Sequence, residues 1–241
     1  MKSLAFALIP LAAVGAMAAE RDRGPGLQGQ RQGEALVYPA RGFDTVSLAG
    51  AARVIVHAGP GFSVRADGPA AAFANFRVAL DGRTLEVGRR YDGRDNPLER
   101  RITVHVTLPT LAAASVGGSG SIDADRAAGP RFSGSVGGSG NLRIARIDAQ
   151  DAELSIGGSG AIRAAGTVGA LKASIGGSGT LDAPALRATR ADVSVGGSGG
   201  VRAAVTGDAR VSMAGSGSVD LGPQARCRVS KVGSGKVRCG G

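Results

Sequence analysis

The sequence lacks most of the residue types on which enzymes and nucleic-acid-binding domains depend. Among its 241 residues there is no tryptophan, aromatic residues make up 3%, and only two histidines and two cysteines occur. The shortage of aromatic rings argues against a surface that stacks on bases and against the aromatic platforms that hold sugars. His57 and His105 lie in strand-like segments far from either cysteine, which favours surface strand positions over a metal site or a catalytic triad. We therefore assign no metal or cofactor.

The only long apolar run lies at the N-terminus. Lys2 precedes an apolar stretch over residues 4–14, and Ala16-Met17-Ala18 has the small-residue spacing of a signal-peptidase site. Because the run is too short to span a bilayer, we expect residues 1–18 to be a secretory signal peptide that is cleaved after Ala18. A buried N-terminal helix is the alternative. No other segment is apolar enough to be transmembrane, so an exported protein of the periplasm, cell envelope or extracellular space is predicted.

Acidic residues are few compared with basic ones. The chain has 29 Lys and Arg against 19 Asp and Glu, a formal net charge of +10. A basic exported protein is attracted to anionic surfaces such as lipid headgroups and acidic glycans. An anionic envelope glycan or an envelope protein is therefore the expected kind of partner, and nucleic acid is not expected. Residues 19–35 are rich in Arg, Gln and Gly without periodicity, which predicts a disordered linker.

Glycine, in contrast, is abundant and repeats at regular intervals. Gly-Gly-Ser-Gly occurs five times and two altered copies follow, so that a glycine precedes a serine at positions 118, 138, 158, 177, 197, 215 and 233. Steps of 18–20 residues, with alternating apolar residues on both sides, predict one unit stacked about seven times. Residues 111–241 are thus expected to form an all-β parallel β-helix or β-solenoid, in which glycine turns with positive φ join short strands.

Residues 36–110 are predicted to be a β-rich N-terminal part that is continuous with the stack. Apolar and polar residues alternate over residues 102–108, as in a half-buried strand. Asp81-Gly82 between two apolar runs predicts a hairpin. A short helix is expected over residues 70–76.

The repeated serines match none of the glycine motifs that bind ions or phosphate or that hold a nucleophile. Calcium-binding nonapeptide repeats require an Asp where this repeat holds Ile122 and its equivalents. A phosphate-binding loop requires a Lys-Ser/Thr pair before a helix, and a nucleophile elbow requires Gly-x-Ser-x-Gly. The serines are therefore predicted to stack as part of the frame, and no catalytic residue is assigned.

One outward column after the turns is predicted to carry charges of mostly alternating sign. Its members are Asp123, Arg143, Arg163, Asp182, Arg202, Asp220 and Arg238. Neighbours of opposite sign attract across the stack, and each exposed pair is worth about 0–1 kcal/mol.

The segment 89–101 is a charged loop that interrupts the strand pattern. Loops of this kind commonly carry function, so we regard it as a ligand-contact loop. Its contact candidates are Arg89, Arg90, Tyr91, Asp92, Arg94 and Asp95. Asp92, Asp95 and Glu99 are also the densest carboxylate group outside the repeats, and paired carboxylates can hydrolyse glycosides. The intervening arginines favour a solvated, salt-bridged loop instead.

Both cysteines belong to the last repeat. Alignment of the repeats turns Cys227 and Cys239 toward the bore of the final coil, which predicts a disulfide that pins this coil. A catalytic dithiol is the alternative, although no Cys-x-x-Cys occurs. Strand edges beyond this coil are unpaired unless capped, so a partner or a second copy could dock there.

Several segments and their order resemble a known bacterial family. They are Gly42-Phe43-Asp44-Thr45-Val46, Arg53-Val54-Ile55-Val56, Thr84-Leu85-Glu86-Val87 and residues 102–109, followed by the serial Gly-Ser-Gly coils. Over residues 40–239 the chain is similar to the auto-transporter adhesin head GIN domain family, an extracytoplasmic domain of unknown function. The resemblance implies a β-helix whose first strands come from residues 40–110, and it brings no catalytic residues.

These features predict a non-enzymatic extracytoplasmic protein with a structural, adhesive or ligand-binding role in the bacterial cell envelope. Two alternatives stay open. One is a glycan-active enzyme that uses the loop over residues 89–101. The other is an electrostatic binder that holds anionic envelope polymers through its arginine columns.

Overall fold

The computed structural model describes residues 26–90 and 96–240. The expected signal peptide and its cleavage after Ala18 lie outside these residues. So do Tyr91, Asp92, Arg94 and Asp95 of the expected ligand-contact loop.

The described residues form 19 strands and two short 3₁₀ helices. The strands before the repeats are β1 Gln30–Gln32, β2 Ala35–Tyr38, β3 Thr45–Gly50, β4 Arg53–Ala58, β5 Ser63–Asp67, β6 Phe76–Asp81, β7 Thr84–Arg89 and β8 Thr103–Leu108. Those of the repeats are β9 Ala113–Gly118, β10 Ser121–Ala124, β11 Ala127–Gly138, β12 Asn141–Gly158, β13 Ala161–Gly177, β14 Thr180–Gly197, β15 Gly200–Val205, β16 Asp208–Gly215, β17 Ser218–Asp220, β18 Arg226–Val232 and β19 Lys236–Arg238. The 3₁₀ helices are Ala70–Phe73 and Pro97–Arg101.

Successive coils of the repeat region pair in parallel, with their glycine turns in register. Gly118 pairs with Gly138, Gly138 with Gly158, and Gly158 with Gly177. Neighbouring coils therefore lie one strand spacing apart, about 4.8 Å. This confirms the predicted β-solenoid. The number of complete turns is about six rather than seven, because seven Gly-Ser-Gly sites enclose six full turns between them.

The N-terminal strands extend the stack, but not in sequence order. Strand β3 pairs in parallel with β9 on one side and with β7 on the other. In the same way, β4 lies between β10 and β8. In sequence, the coil β3–β4 therefore comes before the coil β7–β8, which is the outermost of the stack. The chain then crosses to the other side of β3–β4, where β9 and β10 begin the repeats.

Antiparallel strands close this end of the stack. Strand β6 pairs with β7, β5 pairs with β8, and β2 and β1 continue outward from β5. The disordered linker expected over residues 19–35 is therefore wrong for its last residues. Gly33 has a φ of 64° and turns the chain, so that Gln30–Gln32 pairs with β2. Leu27 adds a hydrogen bond from its N–H to Val78 O at 2.7 Å.

Two local features agree with the sequence pattern. Asp81 and Gly82 turn the chain between the antiparallel strands β6 and β7, with a φ of 57° at Gly82. The short helix expected over residues 70–76 is a single 3₁₀ turn, Ala70–Phe73, and Phe76 already begins β6.

The apolar columns fill the bore of the solenoid. Val116, Val136 and Ile156, which stack in one column, are at most 3% exposed. The same column continues through Met213 and ends at Lys231. A continuous core therefore runs from the antiparallel strands to the last coil and leaves the outward columns for contact with other molecules.

Candidate functional site

The Gly-Gly-Ser-Gly turns form a closely packed backbone ladder. The N–H groups of Ser159 and Gly160 both donate to Gly138 O, each at 2.9 Å. Gly158 has a φ of 125°, and a Cβ there would lie 2.6 Å from Gly138 O. A Cβ at Gly157, in contrast, would meet no atom within 4 Å. These turns hold the coils together and leave no space for a ligand between them.

Glu99 forms the first rung of this ladder. The turn that follows β3 has no glycine turn beneath it, and its Ala51 N–H donates to Glu99 Oε1 at 3.0 Å. One coil along, Ser119 and Gly120 donate to Gly50 O at 3.1 and 2.8 Å. The Glu99 carboxylate thus takes the position that a glycine carbonyl occupies in later coils. It is 5% exposed, so its assignment to a solvated, salt-bridged loop was wrong.

The 3₁₀ helix Pro97–Arg101 places this carboxylate. It connects β7 to β8 at the position where β3 and β4 are joined by a tight turn. Asn96 caps the helix by accepting a hydrogen bond from Leu98 N–H at 3.0 Å. The Asn96 amide also donates to Ala72 O at 3.2 Å, which ties this helix to the other one. Part of the expected loop is therefore a fixed element.

A shallow groove runs between this helix and the first turns. One part has a volume of about 450 Å³ and is lined by Gly50, Ala51, Arg89, Asn96, Pro97, Glu99, Arg100, Gly118 and Ser119. A second part of about 420 Å³ includes Arg53, Ser121 and Asn141. Arg100 is exposed at the boundary of both parts.

The groove contains one of the ligand-contact candidates. Arg89 lines it, and Arg90 follows, with its backbone N–H donating to Asn75 O at 2.7 Å. Arg100 and Asn141 were missed as groove residues. Arg100 is one of several arginines in a charged run, and Asn141 reads as an ordinary turn residue of the second repeat. Only the stacking of the helix on the first two turns brings them together.

Ion pairs run along the outside of the coils. Asp182 lies between Arg163 and Arg202, with N–O distances of 4.0 and 2.9 Å, as the predicted charge column requires. A second ladder, which sequence analysis missed, contains Lys172 and Glu153 at 2.8 Å. The hydrogen bond from Lys172 to Glu153 raises the pKa of Lys172. Because these side chains are largely exposed, each pair is worth about 0–1 kcal/mol and serves register more than stability.

Both histidines lie at exposed strand positions. His57 Nδ1 is 3.2 Å from Asp125 Oδ2, and His105 Nε2 is 3.8 Å from Asp67 Oδ2. A hydrogen bond from Arg65 lowers the pKa of Asp67. Within residues 26–90 and 96–240, no three His, Cys, Asp or Glu side chains are grouped in a way that could hold a metal ion.

The last coil is pinned by the predicted disulfide. Cys227 in β18 is bonded to Cys239, just after β19, with a Cα–Cα distance of 6.2 Å. Lys231 ends the apolar column that it shares with Met213, and its Nζ donates to Gly235 O at 2.9 Å. Val229 and Val232 are 48% and 76% exposed. The covered bore thus ends in a basic, partly apolar strand.

A family comparison accounts for this architecture. The family model described as "putative auto-transporter adhesin, head GIN domain" matches residues 42–241. The chain belongs to the head GIN domain family. The match includes the strands of the first two coils, the helix that carries Glu99, and every coil of the repeat region. No similar protein was found among the curated proteins.

Solved structures share this head GIN fold at low sequence identity. A protein described as a putative adhesin from Bacteroides fragilis is 20% identical, with a TM-score of 0.78 over 89% of this chain and 100% of its own. One described as a putative lipid binding protein from Parabacteroides distasonis is 19% identical, with a TM-score of 0.67 over 88% and 98%. A putative adhesin from Parabacteroides merdae is 14% identical, with a TM-score of 0.63 over 90% and 99%. These likenesses concern the fold.

The two helices described in this head GIN domain are 3₁₀ helices of four and five residues. Among the described residues, no helix has the length and apolar character needed to cross a membrane.

Proposed function

We propose that this head GIN domain is a non-enzymatic binding domain of the bacterial cell envelope with an adhesive role. The family match over residues 42–241 carries the proposal, because it includes both the coil stack and its antiparallel N-terminal end. The Cys227–Cys239 disulfide supports export to an oxidising compartment, as does the signal-like sequence before Ala19. The ligand is held on outward surfaces, since the bore is filled with apolar side chains.

The described part of the loop favours binding over glycan hydrolysis. A carboxylate pair would need Glu99 or its neighbours to be exposed to a substrate. Glu99 is instead buried, and one of its oxygens accepts the Ala51 N–H.

The groove beside the first turns supports a second candidate, binding of anionic envelope polymers. Arg100 is exposed there and takes part in no ion pair with a described residue. Arg53, on the adjoining part, is 57% exposed and shares its charge with Asp123 at 2.9 Å. An acidic glycan and a lipid headgroup offer the same anionic chemistry to such a groove. The name of the Parabacteroides distasonis protein, a putative lipid binding protein, is compatible with a headgroup.

Co-sedimentation tests both candidates. Residues 19–241 are mixed with isolated cell envelopes, with anionic vesicles and with an acidic polysaccharide, at ionic strengths of about 0.1 and 1 M, where the Debye length is about 10 and 3 Å. We expect retention by envelopes at both ionic strengths if the domain is adhesive. Failure to sediment with envelopes under either condition would overturn the proposal.

A pair of charge variants separates the groove from general attraction. Arg100→Glu reverses the charge in the groove, whereas Arg187→Glu reverses an exposed charge in the middle of the stack. Binding of anionic polymer through the groove predicts loss with the first variant only, and only at low ionic strength. Equal loss with both variants would show that the polymer follows net charge rather than this groove.

A further inference from the structure

The C-terminal end of the stack is a strand edge that no described residue covers. Strand β18 pairs with β16 alone, and β19 pairs with β17 alone. Every residue of β18 is exposed except Cys227, which is half-buried. Val229 stacks in register on the buried Val211, yet is 48% exposed because no described strand covers it.

The backbone of β18 has N–H and C=O groups that face away from β16 and can pair with a further strand. Arg226 N–H donates to Gly207 O, just before β16, at 2.9 Å. In a parallel ladder, alternate residues bond to opposite neighbours, so Arg228 and Ser230 also bond toward β16. Cys227, Val229 and Lys231 therefore turn their N–H and C=O groups toward the open side.

The charge of this edge is of one sign. Residues 226–240 contain five basic side chains and no acidic one, the basic ones being Arg226, Arg228, Lys231, Lys236 and Arg238. The preceding coil provides carboxylates for Arg226 and Arg238, namely Asp208 at 3.0 Å and Asp220 at 3.6 Å, as Asp192 does for Arg210 at 3.9 Å. Arg228 stacks on Arg210 and is in no ion pair with any described residue. A strand added beyond β18 could provide the carboxylate that Arg228 lacks.

A second copy of the chain does not fit this edge. Two C-terminal ends facing each other would set Arg228, Lys231 and Lys236, which are in no ion pair with a described residue, against the same three side chains, which is repulsive. At the N-terminal end the outermost coil β7–β8 already pairs with the antiparallel strands β6 and β5, so a coil of another copy cannot add to it there. Lys231 continues the inward column at this edge, so two facing copies would also bring two of these lysines together.

We infer that β18 is a docking edge for an extended acidic segment of a partner protein, which adds as the next strand of the solenoid. The open N–H and C=O groups of Val229 and its neighbours provide the backbone hydrogen bonds. An apolar side chain of the partner covers Val229, and a carboxylate on the outward face meets Arg228. A polysaccharide offers no such backbone pairing, which is why a polypeptide is the favoured occupant.

Peptide binding tests this inference directly. The probe is a labelled peptide of alternating Glu and Val, matched to the seven residues of β18, and its binding to residues 19–241 is followed by fluorescence anisotropy. We expect saturable binding of this peptide. An alternating Lys-Val peptide and a Glu-Val peptide with N-methylated backbone amides should bind at least about tenfold more weakly, because they lack the charge and the hydrogen bonds respectively.

Two variants of the edge locate the binding. Arg228→Glu reverses the outward charge, and Val229→Pro removes an N–H that faces the open side while all five basic residues stay in place. Proline with its nitrogen toward solvent is tolerated on an edge strand. Each should weaken binding of the Glu-Val peptide about tenfold or more, whereas Arg187→Glu should not. An unchanged thermal unfolding transition shows that the variants are folded.

Three results would overturn the inference. The N-methylated peptide binding as tightly as its parent, or Val229→Pro binding normally, would mean a charged contact without strand addition. Equal loss with Arg187→Glu would mean non-specific attraction. Concentration-dependent dimers of the unaltered protein in sedimentation, abolished by Val229→Pro, would identify a second copy as the occupant.

Discussion

The second glycine of each turn is the residue on which close stacking of the coils depends. At Gly158, a φ of 125° is combined with a distance of only 2.6 Å between the place a Cβ would take and Gly138 O. We therefore expect Gly158→Val to lower the free energy of unfolding by about 3 kcal/mol or more, through strain and collision with the coil beneath. Gly157→Val is the matched control, because a side chain there meets open space. Chemical denaturation measures both, and equal losses would contradict the assignment.

Glu99 gives a second prediction at the same scale. Replacing it with Ala leaves the partly buried Ala51 N–H without its acceptor, which should cost about 1–3 kcal/mol. Glu99→Gln keeps a carbonyl oxygen at the same place and should cost clearly less. Denaturant unfolding of the two variants is the measurement. If Glu99→Gln lowered the free energy of unfolding as much as Glu99→Ala, the negative charge of Glu99 would matter, and not the hydrogen bond that its oxygen accepts as the first rung.

Among the elements, the pair β18 and β19 is the one stabilised by a covalent bond. The disulfide joins residues 12 apart in sequence, and closing a loop of about this length is worth about 3 kcal/mol. Because a terminal coil contacts only one neighbour, the effect of the double variant Cys227→Ser, Cys239→Ser should stay local. Hydrogen exchange should show lost protection for Arg228 and Ser230, with β13 unchanged. Lost protection throughout the stack would contradict this local role.

Elements differ in how far their sequences predict them. The repeat coils were predictable because each carries its own glycine turn and apolar columns, and parallel pairing in register is the only way to bury those columns together. The order of the first two coils could not be predicted from the sequence, since the alternating pattern of β8 fits either side of β4 equally well. The burial of Glu99 was also hidden, because its partner Ala51 lies 48 residues away in sequence. The ligand-contact role of Arg89 and Arg90 stays a prediction.

At the scale of the whole molecule, the two ends of the solenoid differ in kind. Strands β6 and β5 run antiparallel to the outermost coil and stop the stack at one end. The other end has a disulfide and basic side chains but no covering strand among the described residues. Growth of the stack by further coils is therefore allowed in one direction only, which agrees with the position of the repeats after the N-terminal strands in this sequence.

A stack of this kind should tolerate the loss of one whole coil. Deleting residues 139–158 removes one repeat of 20 residues and joins Gly138 to Ser159, with the remaining glycine turns still in register. It also removes Arg143 and places Asp123 beside Arg163, an attractive pair in place of two neighbouring arginines. We expect a folded β protein, shorter by about 4.8 Å in small-angle scattering and somewhat less stable.

The control for this deletion removes only residues 139–148, half a coil. It displaces the following turn from the turn beneath it, so the glycine ladder and the apolar columns cannot both stay in register. Circular dichroism and scattering should therefore show an unfolded or aggregated chain for the half-coil deletion and a shortened solenoid for the full one. If both deletions folded equally well, the coils would not be held by register-specific stacking, and the glycine turns would lose the role assigned to them.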